Sequence, residues 1–79
     1  MFYVYILKSL PDNKRYIGMT ENIDRRFQEH CSGLVKSTKN RRPLEIIHTE
    51  LFESKKEAID REHFFKTGRG REFLKVNNL

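Results

Sequence analysis

The 79-residue chain has no tryptophan, one cysteine, two prolines and four glycines. A lone Cys31 closes no internal disulfide and anchors no metal cluster. A disulfide-stapled secreted scaffold is thereby excluded, and a reducing, cytoplasmic setting is expected. No apolar run approaches the ~18 residues that a bilayer span needs. Met1 to Leu7 lacks the basic leader and small-residue cleavage site of a signal peptide, so no membrane partner is expected. Length excludes more. A chain of this size buries about 60% of its unfolded surface, enough for one marginal core over residues 1–79 and too little for most cofactor folds. A monomer or weak homodimer is the expected state.

Charge is abundant and uneven. The chain carries 16 Lys and Arg against 11 Asp and Glu, a net +5. The stretch Lys36-Ser-Thr-Lys39-Asn-Arg41-Arg42 holds four cations and no acid, and Lys66-Thr-Gly-Arg69-Gly-Arg71 holds three cations and no acid. The rest of the chain is slightly acidic. Two basic segments on such a body form a polyanion footprint, phosphate backbone being the commonest partner; solvated loops that keep a small protein soluble are the alternative.

The elements follow from pattern. Met1-Phe-Tyr-Val-Tyr-Ile-Leu7 is aromatic and β-branched, which predicts a strand covered on both faces. Leu10 to Lys14 is turn chemistry, and Arg15-Tyr-Ile-Gly18 returns as the second hairpin strand. Asn22 caps a helix to about Cys31, Ser32 to Pro43 is a polar loop, and Leu44 to Phe52 is a third strand. Ser54 with Glu57 forms a capping box opening a second helix to about Lys66. Gly68 and Gly70 interrupt, and Arg71 to Val76 adds a last helical turn or two. The expected fold is α+β, in the order β-β-α-β-α with a short final helix.

Some polar residues fall on the wrong faces. On the first helix Ile23, Phe27 and Cys31 define the expected buried stripe; Arg26 and His30, four apart, lie on or beside it, while Arg25 points away. On the second helix Glu62 falls inside the arc of Ala58, Ile59 and Phe65, whereas Glu57 and Asp60 fall outside. An inward carboxylate is costly unless it is paired or binds a cation. A Glu62–Arg26 or Glu62–His30 ion pair is the structural alternative to a site. Strand alternation puts Tyr3, Tyr5 and Leu7 on one face and Phe2, Val4 and Ile6 on the other. Each tyrosine alone reads as core. Converging with Arg26, His30 and Glu62, Tyr5 and Tyr16 would supply a proton acceptor, a phosphate clamp and a metal ligand, the parts of phosphodiester cleavage.

These residues resemble the GIY-YIG nuclease superfamily. The first signature stands as Tyr3-Val4-Tyr5, with Tyr3 in the place of the glycine, and the second as Tyr16-Ile17-Gly18. Arg26 follows on a helix and Glu62 comes late, in Glu57-Ala-Ile-Asp-Arg-Glu62. The segments 32–43 and 66–71 look like the small stand-alone bacterial members, similar to the nuclease half of excision-repair and homing endonucleases. The resemblance implies a three-stranded antiparallel sheet flanked by helices and hydrolysis of nucleic acid, DNA ahead of RNA, with one Mg2+ or Mn2+. It implies Tyr5 as general base or water-orienting group, and Tyr16 on the nucleophile or scissile phosphate. Arg26 would stabilise phosphoryl charge, Glu62 would hold the metal, and His30 would assist proton transfer or contact phosphate. Gly18 would let the chain turn close to the site. Lys36, Lys39, Arg41, Arg42, Arg69 and Arg71 would touch backbone phosphates. A nucleic-acid-binding module of weak or absent activity is the alternative function.

Overall fold

The computed structural model describes residues 1–79. Strand β1 (Phe2–Ser9) is central, with β2 (Arg15–Thr20) and β3 (Leu44–Phe52) antiparallel on either side. Asn13 takes the left-handed conformation (φ 58°) in the β1–β2 turn, which an asparagine tolerates. Helix α1 (Ile23–Cys31) follows the hairpin; α2 (Lys55–Phe65) and α3 (Gly68–Val76) follow β3. No helix is long and apolar enough to cross a membrane.

The alternation along β1 divides the core as expected. Val4 and Ile6 face α2 and α3, packing with Ala58, Phe65 and Leu74. Tyr5 and Leu7 face the other way, with Leu44, Tyr16, Ile23 and Phe27. The caps are local: Asn22 accepts from the Arg25 amide on α1, and Ser54 accepts from the Glu57 amide while its hydroxyl reaches the Glu57 carboxylate.

Three expectations are corrected. Cys31 is exposed and His30 fully buried, so the inward stripe of α1 is turned toward the histidine. The reason is polar: both His30 ring nitrogens have buried partners, which removes the cost of burying an imidazole. Gly68 and Gly70 do not interrupt a helix; both lie inside α3, which Thr67 caps by accepting from the Gly70 amide. A Cβ on Gly70 would sit 2.6 Å from Phe65 Cα, so the glycine admits α3 against α2. The 32–43 loop carries a 3-10 turn at Lys39–Arg41 and buries Val35 and Thr38.

The inward carboxylate that bridges elements is Glu50 of β3. Arg61 of α2 donates to its two oxygens at 2.7 and 3.0 Å, and His48 lies 2.8 Å away. The Arg61 guanidinium also covers the rings of Phe64, Phe65 and Phe73 at 4.5 to 4.9 Å. Burial alone would raise the Glu50 carboxyl; the Arg61 and His48 hydrogen bonds outweigh it and hold the group below the usual carboxylate range. A depressed carboxyl contributes stability above its unfolded value, and that contribution is lost as pH falls through the folded value. Glu50→Gln is expected to cost about 2 kcal/mol at neutral pH, read as a lower urea midpoint at unchanged slope. The difference from the parent should shrink as the solution is acidified.

Candidate active site

Tyr5 starts in the middle strand, yet its hydroxyl lies over the edge strand. Tyr5 pairs with Gly18 of β2, and a Cβ on Gly18 would sit 2.5 Å from Tyr5 Cζ. Gly18 therefore supplies space for the ring. It does not turn the chain, since Gly33 is the glycine with positive φ. Tyr16, two residues earlier on β2, points to the same face as Tyr5, their ring centroids 6.5 Å apart. His30 of α1 meets both rings edge-on at 5.7 and 5.2 Å.

The polar atoms of this cluster are paired. Tyr5 Oη lies 2.9 Å from His30 Nε2, and His30 Nδ1 lies 2.7 Å from Thr38 Oγ1. Tyr5 is 1% exposed, His30 and Thr38 0%. His30 thus lies behind the tyrosines, and the expectation that it contacts phosphate is replaced by contact with Tyr5. Arg26 stands beside the Tyr5 hydroxyl and donates to Glu29 at 3.0 Å, its side chain 35% exposed. Burial pushes the Tyr5 phenol up, against the lowering effect of Arg26, and the Tyr16 phenol and the Glu62 carboxylate push the same way as burial. Burial and the Arg26 charge push His30 down, so the imidazole is neutral at neutral pH.

Glu62 stands on α2, which packs on the other face of the sheet, and meets this cluster only at Tyr16, with which it shares a cleft. It lines a cleft of about 590 Å³ with Tyr16, Ile17, Lys14, Arg41 and Arg71. Neither Glu62 alternative forms: the Arg26 partner is Glu29, and the His30 partners are Tyr5 and Thr38. The Glu62 ion pair is with Lys66, one turn on, at 3.6 Å, and its side chain is 19% exposed. Tyr16 is the member common to the cleft and the buried cluster.

The six expected phosphate contacts divide by place. Arg41 and Arg71 line the cleft beside Glu62. Lys36, Lys39 and Arg69 are exposed away from its lining. The Arg42 guanidinium braces its own loop, donating to the Lys39 and Cys31 carbonyls over Gly33. Lys14 and Arg15 are cations of the cleft that read in sequence simply as turn and strand, and Lys66, from the second basic segment, lines it with them. Arg15 is held by the Leu79 carbonyl.

Tyr5, Tyr16, Arg26 and His30 thus meet on one side of the sheet, and Glu62 shares a cleft with Tyr16. The family described as the GIY-YIG catalytic domain matches residues 1–75, and the chain belongs to that nuclease-type family. Among relatives, it is 43% identical over 75 residues to a UPF0213 protein of Staphylococcus haemolyticus, covering 94% of this chain and 90% of that one. It is 47% identical over 66 residues to a UPF0213 protein of Natronomonas pharaonis, covering 82% and 76%. The solution NMR structure of the UPF0213 protein from Bacillus halodurans matches with a TM-score of 0.59 and 39% identity, over 96% of this chain and 84% of that one.

Proposed function

We propose that the chain is a metal-dependent endonuclease hydrolysing phosphodiester bonds of nucleic acid, DNA ahead of RNA. The observation that carries this reading is Glu62: an inward carboxylate beside Tyr16, in a cleft whose other charged groups are cations. No group of three or more His, Cys, Asp and Glu comes together, so the donor set does not suit zinc, which takes three or four protein ligands. It suits one magnesium or manganese ion, which keeps much of its water and needs one or two carboxylates. When bound, such an ion supplies positive charge at the phosphoryl oxygens and makes a water easier to deprotonate.

The remaining work belongs to the chain. Tyr16, on the cleft wall, hydrogen-bonds the attacking water or the scissile phosphate. Tyr5, just beneath, takes up the proton of that water. Arg26 turns its forked donors toward charge growing on the phosphate and, beside the phenol, favours the ionised form. His30 acts through Tyr5. Lys14, Arg41 and Arg71 grip the flanking backbone, with Lys36, Lys39 and Arg69 extending the track and Arg42 shaping the loop.

A non-catalytic nucleic-acid-binding module is the second reading, and burial of the Tyr5 phenol favours it. Labelled duplex, nicked, flap and single-stranded DNA, with matching RNA, separate the two. Cleavage of at least one, dependent on magnesium and stopped by a chelator, is expected. Salt-sensitive binding with no cleavage of any would leave the binder and overturn the nuclease. The double variant Arg41→Ala/Arg71→Ala is expected to weaken binding to all sequences alike. Its slope of log K against log salt should flatten by about 0.9 for every duplex phosphate that the variant no longer neutralises.

A further inference from the structure

Thr38 sits in a loop, fully buried, and its hydroxyl touches one polar group, His30 Nδ1, at 2.7 Å. Tyr5, His30 and Thr38 form a chain with two hydrogen bonds. With a neutral imidazole that chain holds three polar hydrogens: one on each hydroxyl and one on the ring. One hydrogen is always left over, and where it sits depends on the ring tautomer.

If Nδ1 carries the ring hydrogen, it donates to Thr38 and Nε2 accepts from Tyr5. The hydroxyl hydrogen of Thr38 is then orphaned at a position with no exposure. A buried donor without an acceptor loses its full hydration, a larger cost than an idle lone pair. If Nε2 carries the hydrogen, Thr38 donates to Nδ1 and the ring donates to Tyr5 Oη. The leftover hydrogen is then on Tyr5, itself only 1% exposed, but beside Tyr16 of the cleft wall, where ionisation of the phenol can release it; a hydrogen orphaned on Thr38 has no such exit. Removing it leaves every donor of the chain with an acceptor.

We infer that Thr38 is a positioning residue: by donating to His30 Nδ1 it fixes the tautomer whose Nε2–H donates to the Tyr5 oxygen. His30 and Arg26 then both present donors to the same phenol oxygen, and both stabilise its ionised form. The other charged or titratable groups facing this set are Glu29 of α1, Tyr16 of β2 and Glu62 of α2. Thr38 touches no substrate; it acts through His30. The catalytic consequence rests on Tyr5 being the proton acceptor, whereas the tautomer does not.

Nitrogen-15 spectra of the imidazole groups in the full chain test this directly, with His30 assigned against His48→Gln and His63→Gln. The expected spectrum shows a protonated Nε2 and an unprotonated Nδ1 on His30. A protonated Nδ1 would overturn the inference, even if every variant failed to fold. Thr38→Val keeps the shape and removes the donor. It is expected to abolish the pure Nε2–H signature and move Tyr5 ionisation, followed by ultraviolet absorbance, to higher pH. Thr38→Ser should restore both. An unchanged His30 signature in Thr38→Val would also overturn the inference. Absence of cleavage beside the expected spectrum would overturn the proposed nuclease and leave this assignment standing.

Discussion

Glu62→Gln is expected to lower magnesium-dependent cleavage by about two to three orders of magnitude while leaving nucleic-acid binding and stability close to the parent. Glutamine keeps the volume and the hydrogen-bonding edge of the side chain and removes the charge that a hard cation requires. The fold is not at stake. The one ion pair of Glu62 is with Lys66 on its own helix, and such i, i+4 pairs contribute about 0.3–0.5 kcal/mol. Glu50 is the contrasting carboxylate, because Arg61 depends on it between β3 and α2. The two substitutions should therefore dissociate: Glu50→Gln lowers the unfolding midpoint, and Glu62→Gln lowers cleavage. Manganese binding by calorimetry adds an independent readout, with heat expected from the parent and little from Glu62→Gln. Full cleavage by Glu62→Gln would move the metal elsewhere.

Tyr5→Phe is expected to reduce cleavage by about 10²–10⁴-fold and to change its pH dependence. Burial pushes the phenol up from its ordinary value and Arg26 only partly opposes this, so the resting group is neutral at neutral pH. On the acid side of that ionisation, the fraction able to accept a proton grows about tenfold per pH unit. The logarithm of the rate should thus climb with pH through the neutral and mildly alkaline range. Tyr5→Phe keeps the ring over Gly18 and removes the titrating oxygen, so the residual rate should lose that slope. Tyr16→Phe should be slower than the parent with the slope retained, because Tyr16 orients and does not take up the proton. A retained slope in Tyr5→Phe would assign the proton acceptor to another group.

Much of this arrangement was legible in residue order. Alternation placed Tyr5 and Val4 on opposite faces of β1, and the helical arc singled out Glu62 as a carboxylate turned inward. What escaped has physical causes. Glycines at 68 and 70 read as breakers, although Thr67 offered a cap three residues before Gly70; close packing on α2 requires the small residue there. The register by which β1 pairs with β3 sets Glu50 opposite Val4, on an apolar face. Glu50 is thus an anomaly of the same kind as Glu62, visible by strand periodicity once the pairing is known. Thr38 had no periodic signal, since its role arises from a loop folding back over α1. Charge runs contain Arg41 and Arg71, which line the cleft, and also Arg42, whose Nε and Nη1 donate to backbone carbonyls of its own loop. Lys14 joins the cleft only because the hairpin turn passes beside it.

The central claim is that nucleic acid is hydrolysed at the cleft shared by Tyr16 and Glu62, with one divalent ion. Single-turnover cleavage of the preferred labelled substrate tests it most directly, run in magnesium, then with chelator, then with magnesium restored. The predicted result is cleavage that stops and recovers in the parent protein and stays absent throughout in Glu62→Gln. Cleavage that ignores the chelator, or that Glu62→Gln performs at the parent rate, would contradict the account.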